Sequence, residues 1–258
     1  VKYALLSLVL ALASPLLQAN DPDLTSLIEA LTQDATMIIT NLAGDVTYTY
    51  NRERAEALFA TASTFKIPNT LIGLEENVVS KADTVIEWDG KQYDNSAWNR
   101  DQTLASAYQL SCVWCYQKIA ARVGPEKYRS HLSALGYGEL AEEFNTTTFW
   151  LDGSLKISAT DQIKFLKRVH LEDLPFRTEV IRTLKDIMIE EENESFTLRS
   201  KTGWATRVYP QVGWYVGYVE TSDDVWFFAT NLVTRDNSDL RLRKQLTLQA
   251  LKFKGVID

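Results

Sequence analysis

The sequence predicts an α+β fold: an antiparallel sheet flanked by helices, with a helical lobe inserted into it. Three observations carry this. β-forming residues fill 37–41 and 46–50 around Ala43-Gly44-Asp45, the pattern of a hairpin. From Ala62 to about His170 the apolar residues recur mostly at helical spacing between polar connections. Residues 196–201, 213–220 and 225–233 again read as strands, with a turn at 221–224 between the last two. A closing helix over 239–253 offers Leu240, Leu242, Leu246, Leu248 and Leu251 for packing. The hairpin and the late strands share one sheet if the helical stretch loops out between them, and terminal helices then cover that sheet.

Each segment has its own justification. Residues 1–19 read as an export signal: Lys2 gives a short positive start, residues 4–17 are apolar, and Leu17-Gln18-Ala19 ends on a small residue suited to cleavage. The apolar run is too short for a membrane span, and no cysteine near the cut supports a lipid anchor. A periplasmic or secreted chain, cut near Ala19 and without stable membrane association, is expected. Residues 20–61 then form the first part of the sheet lobe, 62–170 the helical lobe and 171–258 the rest of the sheet lobe. Seven tryptophans and 11% aromatic content are too much apolar mass for disorder. A net charge of −7 argues against a nucleic-acid partner. A homodimer is left open.

The helical stretch opens on Ser63-Thr64-Phe65-Lys66. Three residues apart on a helix, Ser63 and Lys66 share one face about one turn apart. A serine hydroxyl is a poor nucleophile until a base takes its proton, and a lysine does so if its amine is neutral. Alone, the spacing also fits a capping serine followed by a solvated lysine. Lys66, however, stands among Phe65, Ile67, Leu71 and Ile72, and desolvation lowers an amine's pKa. Pro68 lacks an N–H, so a tight turn at Ser63 is expected to lead into a helix with Pro68 near its first turn. Ser111-Cys112-Val113 comes next, inside a long apolar period over 103–123 that Gly124-Pro125 ends, and Lys201-Thr202-Gly203 follows. In that order the three motifs point to acyl transfer with lysine in place of histidine.

Other chemistry is poorly supported. His131 and His170 lie in polar surroundings without a partner pattern, so a Ser-His-Asp triad is not expected and both are read as surface residues. Cys112 and Cys115 have no second cysteine pair or nearby histidine to complete a zinc site, and no metal is expected. They are read as small buried hydrophobes, although an oxidising compartment permits a bridge within one helical turn.

The resemblance rests on Ala62-Ser63-Thr64-Phe65-Lys66-Ile67-Pro68-Asn69, Trp98-Asn99-Arg100-Asp101, Ser111-Cys112-Val113, Phe149-Trp150-Leu151-Asp152-Gly153, Lys201-Thr202-Gly203 and Gly213-Trp214-Tyr215-Val216-Gly217. Over nearly the whole mature chain the sequence resembles the class D (oxacillinase-type) serine β-lactamases. The S-x-V form of the second motif is specific to class D, where class A chains usually carry S-D-N. The resemblance implies a serine β-lactamase/penicillin-binding transpeptidase-like fold with the site in the cleft between lobes.

It also implies roles. Ser63 attacks the lactam carbonyl, with its own N–H and that of Trp204 as oxyanion donors. Lys66 is the base and carries a carbamate derived from carbon dioxide, the sole cofactor-like group expected. Phe65, Val113 and Leu151 supply its apolar pocket and the Trp150 indole N–H fits as its donor. Ser111 passes a proton to the departing nitrogen. Lys201, Thr202 and Arg243 hold the substrate carboxylate, Arg243 being selected over Arg241 by the match to L-x-L-R-K. Gly203 lets the strand approach the ligand, and Val113, Leu151, Trp98 and Arg207 line the substrate site. The short segment 202–213, with Arg207 in it, resembles the carbapenem-hydrolysing branch. One departure is Tyr137-Gly138-Glu139, where the family usually has Tyr-Gly-Asn. The rival readings are a penicillin-binding sensor that acylates without turnover and a peptidoglycan DD-peptidase. The S-x-V motif and Trp150 favour the hydrolase.

Overall fold

The computed structural model describes residues 20–32 and 34–258, so the export-signal reading of residues 1–19 lies outside the described residues. The chain begins with helix α1 (Pro22–Glu29), followed by the hairpin β1 (Ala35–Asn41) and β2 (Thr47–Tyr50), then α2 (Arg52–Glu56) and a short β3 (Phe59–Ala60). A 3-10 turn, Ala62–Phe65, runs directly into α3 (Lys66–Glu75). The helical segment continues through β4 (Val85–Ile86), β5 (Gln102–Thr103), α4 (Leu104–Gln109), α5 (Val113–Val123) and α6 (Pro125–Leu135). Two short strands, β6 (Glu139–Leu140) and β7 (Leu155–Ile157), precede α7 (Ala159–His170) and α8 (Thr178–Ile187). The chain returns to the sheet through β8 (Ile189–Glu192), β9 (Phe196–Ala205), β10 (Val212–Thr221) and β11 (Val225–Val233), and closes with α9 (Asn237–Phe253).

The main sheet has the order β2-β1-β11-β10-β9-β8, with every neighbouring pair antiparallel. Side chains alternate between its faces. Met37, Ile39, Tyr215, Val219, Phe228 and Leu232 meet Leu24 and Ile28 of α1 and Leu246, Ala250 and Leu251 of α9. Ile38, Trp214, Val216, Tyr218, Phe227 and Ala229 point the other way and merge with the core of the helical segment. Because both faces are covered, β1 is buried at all its positions, the polar Thr36, Thr40 and Asn41 included. Helix α7, placed with the helical lobe on sequence, packs against β1, β10 and β11.

Some elements depart from the sequence reading. The apolar period over 103–123 is two helices, broken at Leu110–Cys112, where Ser111 takes a left-handed φ of 54°. Cys112 and Cys115 are buried as expected, but they are joined in a disulfide across the first turn of α5. His131 and His170 are corrected from surface residues to half-buried, paired ones, with side chains 17% exposed. His131 Nε2 lies 2.7 Å from Glu76 Oε1, and His170 Nδ1 lies 3.1 Å from Glu220 Oε1. Their carboxylate partners are 55 and 50 residues away in sequence, so no local pattern announces them. Among the described residues no helix is long and apolar enough to cross a membrane.

Candidate active site

Ser63 stands second in the 3-10 turn, ahead of its first internal hydrogen bond, from Thr64 N–H to Thr61 O at 3.2 Å. Its own N–H therefore has no partner within the turn. The turn starts from Ala62 at φ 48°, an unfavourable conformation for a residue with a Cβ. Surrounding bonds hold it: Ala62 N–H donates to Trp150 O at 2.8 Å, Thr64 Oγ1 donates to Thr61 O at 2.6 Å, and Gln162 Nε2 donates to Thr64 Oγ1 at 2.9 Å. Pro68 falls in the first turn of α3, where its missing N–H costs little. From Thr61 to Thr70 every residue but Ser63 is buried, so the turn presents one hydroxyl.

Beneath that hydroxyl, Lys66 Nζ lies 3.2 Å from Ser63 Oγ and 4.8 Å from the centre of the Tyr116 ring. Lys66 is 1% exposed. Burial, reinforced by the charge of Lys201, pushes its amine well below the usual lysine range. A neutral amine within reach of a serine hydroxyl is a competent base.

A second Ser–Lys pair faces the first. Lys201, buried on β9, donates to Ser111 Oγ at 2.6 Å. Burial and the charge of Arg243 push Lys201 down to about 7, against an opposing pull from Glu190. Ser111 is held out of the helices by its positive φ, and Trp98 Nε1 bonds the preceding carbonyl, Leu110 O, at 3.0 Å. Beyond Arg199, β9 has outrun its pairing with β8, and its free side lies against the Ser63 turn. Gly203 makes that approach possible: a Cβ there would sit 3.2 Å from Thr64 Cγ2 and 3.3 Å from Thr64 N. The close contact visible at Gly203 is thus with the nucleophile turn.

The two pairs open onto one cavity of about 690 Å³. Ser63, Ser111, Thr202, Gly203, Trp204, Trp98, Val113, Leu151, Arg207 and Arg243 all line it. Lys66, Lys201 and Trp150 lie behind that lining, fully or almost fully buried. On α9, Leu240 and Arg243 are three apart and reach the cavity together, while Arg241 is exposed. Arg243 Nη1 donates to Gly203 O at 2.8 Å. The cleft can therefore present a nucleophile, two amines of unusually low pKa and a guanidinium to an anionic acyl substrate.

A family model described as the penicillin-binding protein transpeptidase domain matches residues 24–252. The chain is 41% identical to β-lactamase OXA-48 of Klebsiella pneumoniae over 210 residues, covering 81% of this chain and 79% of that one. It is 40% identical to OXA-20 of Pseudomonas aeruginosa, covering 81% and 77%. The solved class D β-lactamase FUS-1 (OXA-85) of Fusobacterium nucleatum superposes with a TM-score of 0.90 at 36% identity, over 93% of this chain and all of that one. The chain belongs to the class D β-lactamases.

In this class D β-lactamase the Trp150 indole is one of the buried polar groups that the hydrogen-bond network leaves open. Its ring stacks on Phe65 at 5.7 Å, and its Nε1 is buried with no partner among the described residues. Glu139, where the family usually has Asn, is exposed on β6 opposite Lys156 of β7. The constraint in that loop is Gly138, at φ 63°, where a Cβ would lie 2.2 Å from Lys156 O. Sequence reasoning missed Tyr93, which stacks on Trp114 and meets Trp98 edge-on at the cavity wall. It also missed Gln162, whose apolar helical setting in α7 hides its bond to Thr64.

Proposed function

We propose that this chain hydrolyses β-lactams through a Ser63 acyl-enzyme and that Lys66 works as a carbamate. The observation that carries the reading is the buried, charge-depleted Lys66 Nζ set 3.2 Å from the one accessible hydroxyl of its turn. Ser63 Oγ bonds to the lactam carbonyl carbon as its proton passes to the base beneath it. The Ser63 and Trp204 N–H groups face the carbonyl oxygen as it becomes negative. The carbon–nitrogen bond breaks, and Ser111 gives its proton to the nitrogen and regains one from Lys201. Thr202 and Arg243, with Lys201, fix the substrate carboxylate. Water then cleaves the Ser63 ester and returns the hydroxyl.

The carbamate reading draws on two features. A neutral amine adds carbon dioxide and an ammonium does not, so the burial that depresses Lys66 favours the addition. An anion in this pocket needs a donor, and Trp150 Nε1 is a buried donor without a partner. A carbamate supplies an oxygen base for both acylation and deacylation. The test is nitrocefin turnover by the chain with and without bicarbonate. Sustained turnover that bicarbonate increases supports the reading. A single stoichiometric burst would instead favour an acylated sensor.

For substrate range, the connection over 206–211 brings Thr206 and Arg207 to the cavity wall. With its short length it supports imipenem as a substrate alongside oxacillin. Replacing residues 208–211 with a longer Gly/Ser segment is expected to lose imipenem turnover selectively. No imipenem hydrolysis by the unmodified enzyme ends that part of the reading.

A further inference from the structure

Lys201 lines a second cavity, of about 320 Å³, which shares Thr202 with the substrate cleft. Tyr108, Met188, Glu190, Ser200 and Thr202 line it too. Glu190 reaches this place through an irregularity in β8: the register against β9 shifts between Ile189 and Glu191. A bulge redirects the side chain of the residue it displaces. The Glu190 carboxylate accepts hydrogen bonds from Ser200 Oγ, Tyr215 OH (2.7 Å) and Lys244 Nζ. One carboxylate thus joins β8, β9, β10 and α9 at the residue next to Lys201. Tyr108 OH adds a bond to Ser200 O at 3.1 Å from the other side.

We propose that Glu190 is a positioning residue for the Ser111–Lys201 pair, anchoring the Lys201 segment of β9 and placing a fixed negative charge behind it. The proposal rests on the hydrolase reading and adds a residue to it. The charges facing Lys201 are mixed. Arg243 of α9 repels its ammonium, Lys66 of α3 adds no repulsion because burial keeps its amine neutral, Tyr108 of α4 is neutral and its ring centre lies 5.4 Å from Nζ, and Glu190 of β8 attracts. Tyr108 is held neutral by burial first, with Glu190 adding to the effect. Glu190 itself stays ionised: burial opposes this, but Lys244, Ser200 and Tyr215 outweigh it. Its side chain is 28% exposed and that of Lys244 is 46% exposed, so solvent weakens both charges without removing them.

The consequence is a pair of shifts of opposite sign. The alkaline limb of kcat/KM for an anionic penicillin reports loss of the Lys201 ammonium in the free enzyme. Glu190→Gln keeps the shape and removes the negative charge, so the limb is expected to move to lower pH by about half a unit. Lys244→Met leaves Glu190 negative and uncompensated, so the limb is expected to move to higher pH. A role in packing alone moves neither limb, or lowers kcat at every pH alike. Either result, or two shifts of the same sign, overturns the proposal. Should Glu190→Gln fail to fold, the alkaline shift in Lys244→Met still decides, since Lys244 is half exposed. Absent nitrocefin turnover by the unmodified chain would defeat the hydrolase reading instead, a different outcome from an unmoved limb.

Discussion

The cleft holds two serine–lysine pairs built from the same residue types by different means. Ser63 and Lys66 are three residues apart, joined by a 3-10 turn entering a helix, and the lysine has no carboxylate near it. Ser111 and Lys201 are 90 residues apart, brought together where a helix break meets a sheet edge, and a carboxylate stands behind the lysine. Burial depresses both amines. Among the described residues no carboxylate pulls the first lysine back toward the charged form, which suits a base. The second keeps an amine near 7, where proton donation and anion binding are both available. Burial is the larger cause for both amines, and the charges around them set the difference between the two.

The strongest way to break this comparison is to delete the first amine. Lys66→Met is expected to lower nitrocefin turnover by at least about a thousandfold, as removal of the base in a serine enzyme does. It is also expected to raise stability by about 1–3 kcal/mol, because an apolar side chain of similar size replaces a buried amine that has no opposite charge beside it. Denaturant melts with steady-state kinetics check both. A variant that loses activity and stability together would show that Lys66 is structural.

Next in size is the second pair. Lys201→Arg keeps a cation that does not titrate, so turnover is expected to fall by about ten- to a hundredfold and the alkaline limb of kcat/KM to disappear. The same lysine predicts a pH effect on stability. Its folded value, about 7, lies below the ordinary 10.5, so between those limits the unfolded chain binds more protons. Stability contributed at this site therefore rises with pH across that window. Lys201→Met is expected to flatten that slope in melts at pH 7 and 9. An unchanged slope would place the titration elsewhere.

The contrast between the pairs also explains what the sequence could reveal. Ser63 and Lys66 are legible because one helical turn is a fixed distance. The sheet is legible because its strands carry β-formers in runs. Ser111 was visible only as a motif: the apolar period over 103–123 passes through it, and neither glycine nor proline marks its left-handed φ. Glu190 was invisible, since Ile-Glu-Glu-Glu has no strand-like alternation and its bulge exists only relative to β9. Helix α8 was overlooked although Val180, Ile181, Leu184 and Ile187 carry a helical period.

A smaller effect sharpens the first pair. Trp150→Phe keeps the stack on Phe65 and removes only the indole N–H. On the carbamate reading, turnover is expected to fall by about tenfold, the worth of one charge-assisted hydrogen bond. Bicarbonate is expected to restore part of it, and deacylation to suffer more than acylation in stopped-flow traces. Equal loss in both steps without a bicarbonate response would remove Trp150 from that role.

The smallest expected effect tests whether the second pair depends on its neighbouring bridge. Cys112 follows Ser111 directly, caps α5 by accepting from Cys115 N–H at 3.3 Å, and is bonded to Cys115. A link across three residues closes a very short loop and removes little freedom from the unfolded chain, about 2 kcal/mol at most. It also leaves Ser111 held by contacts outside the bridge: Lys201 Nζ at 2.6 Å, its own N–H on Tyr108 O at 3.1 Å, and Trp98 bonded to Leu110 O. Replacing both cysteines with serine keeps a capping oxygen at position 112. Turnover is therefore expected to stay within about twofold, with a stability loss of about 1–2 kcal/mol read by melting under oxidising conditions. If kcat instead falls by an order of magnitude while the melt barely moves, the bridge is part of what aims Ser111, and the second pair is less self-sufficient than its hydrogen bonds indicate.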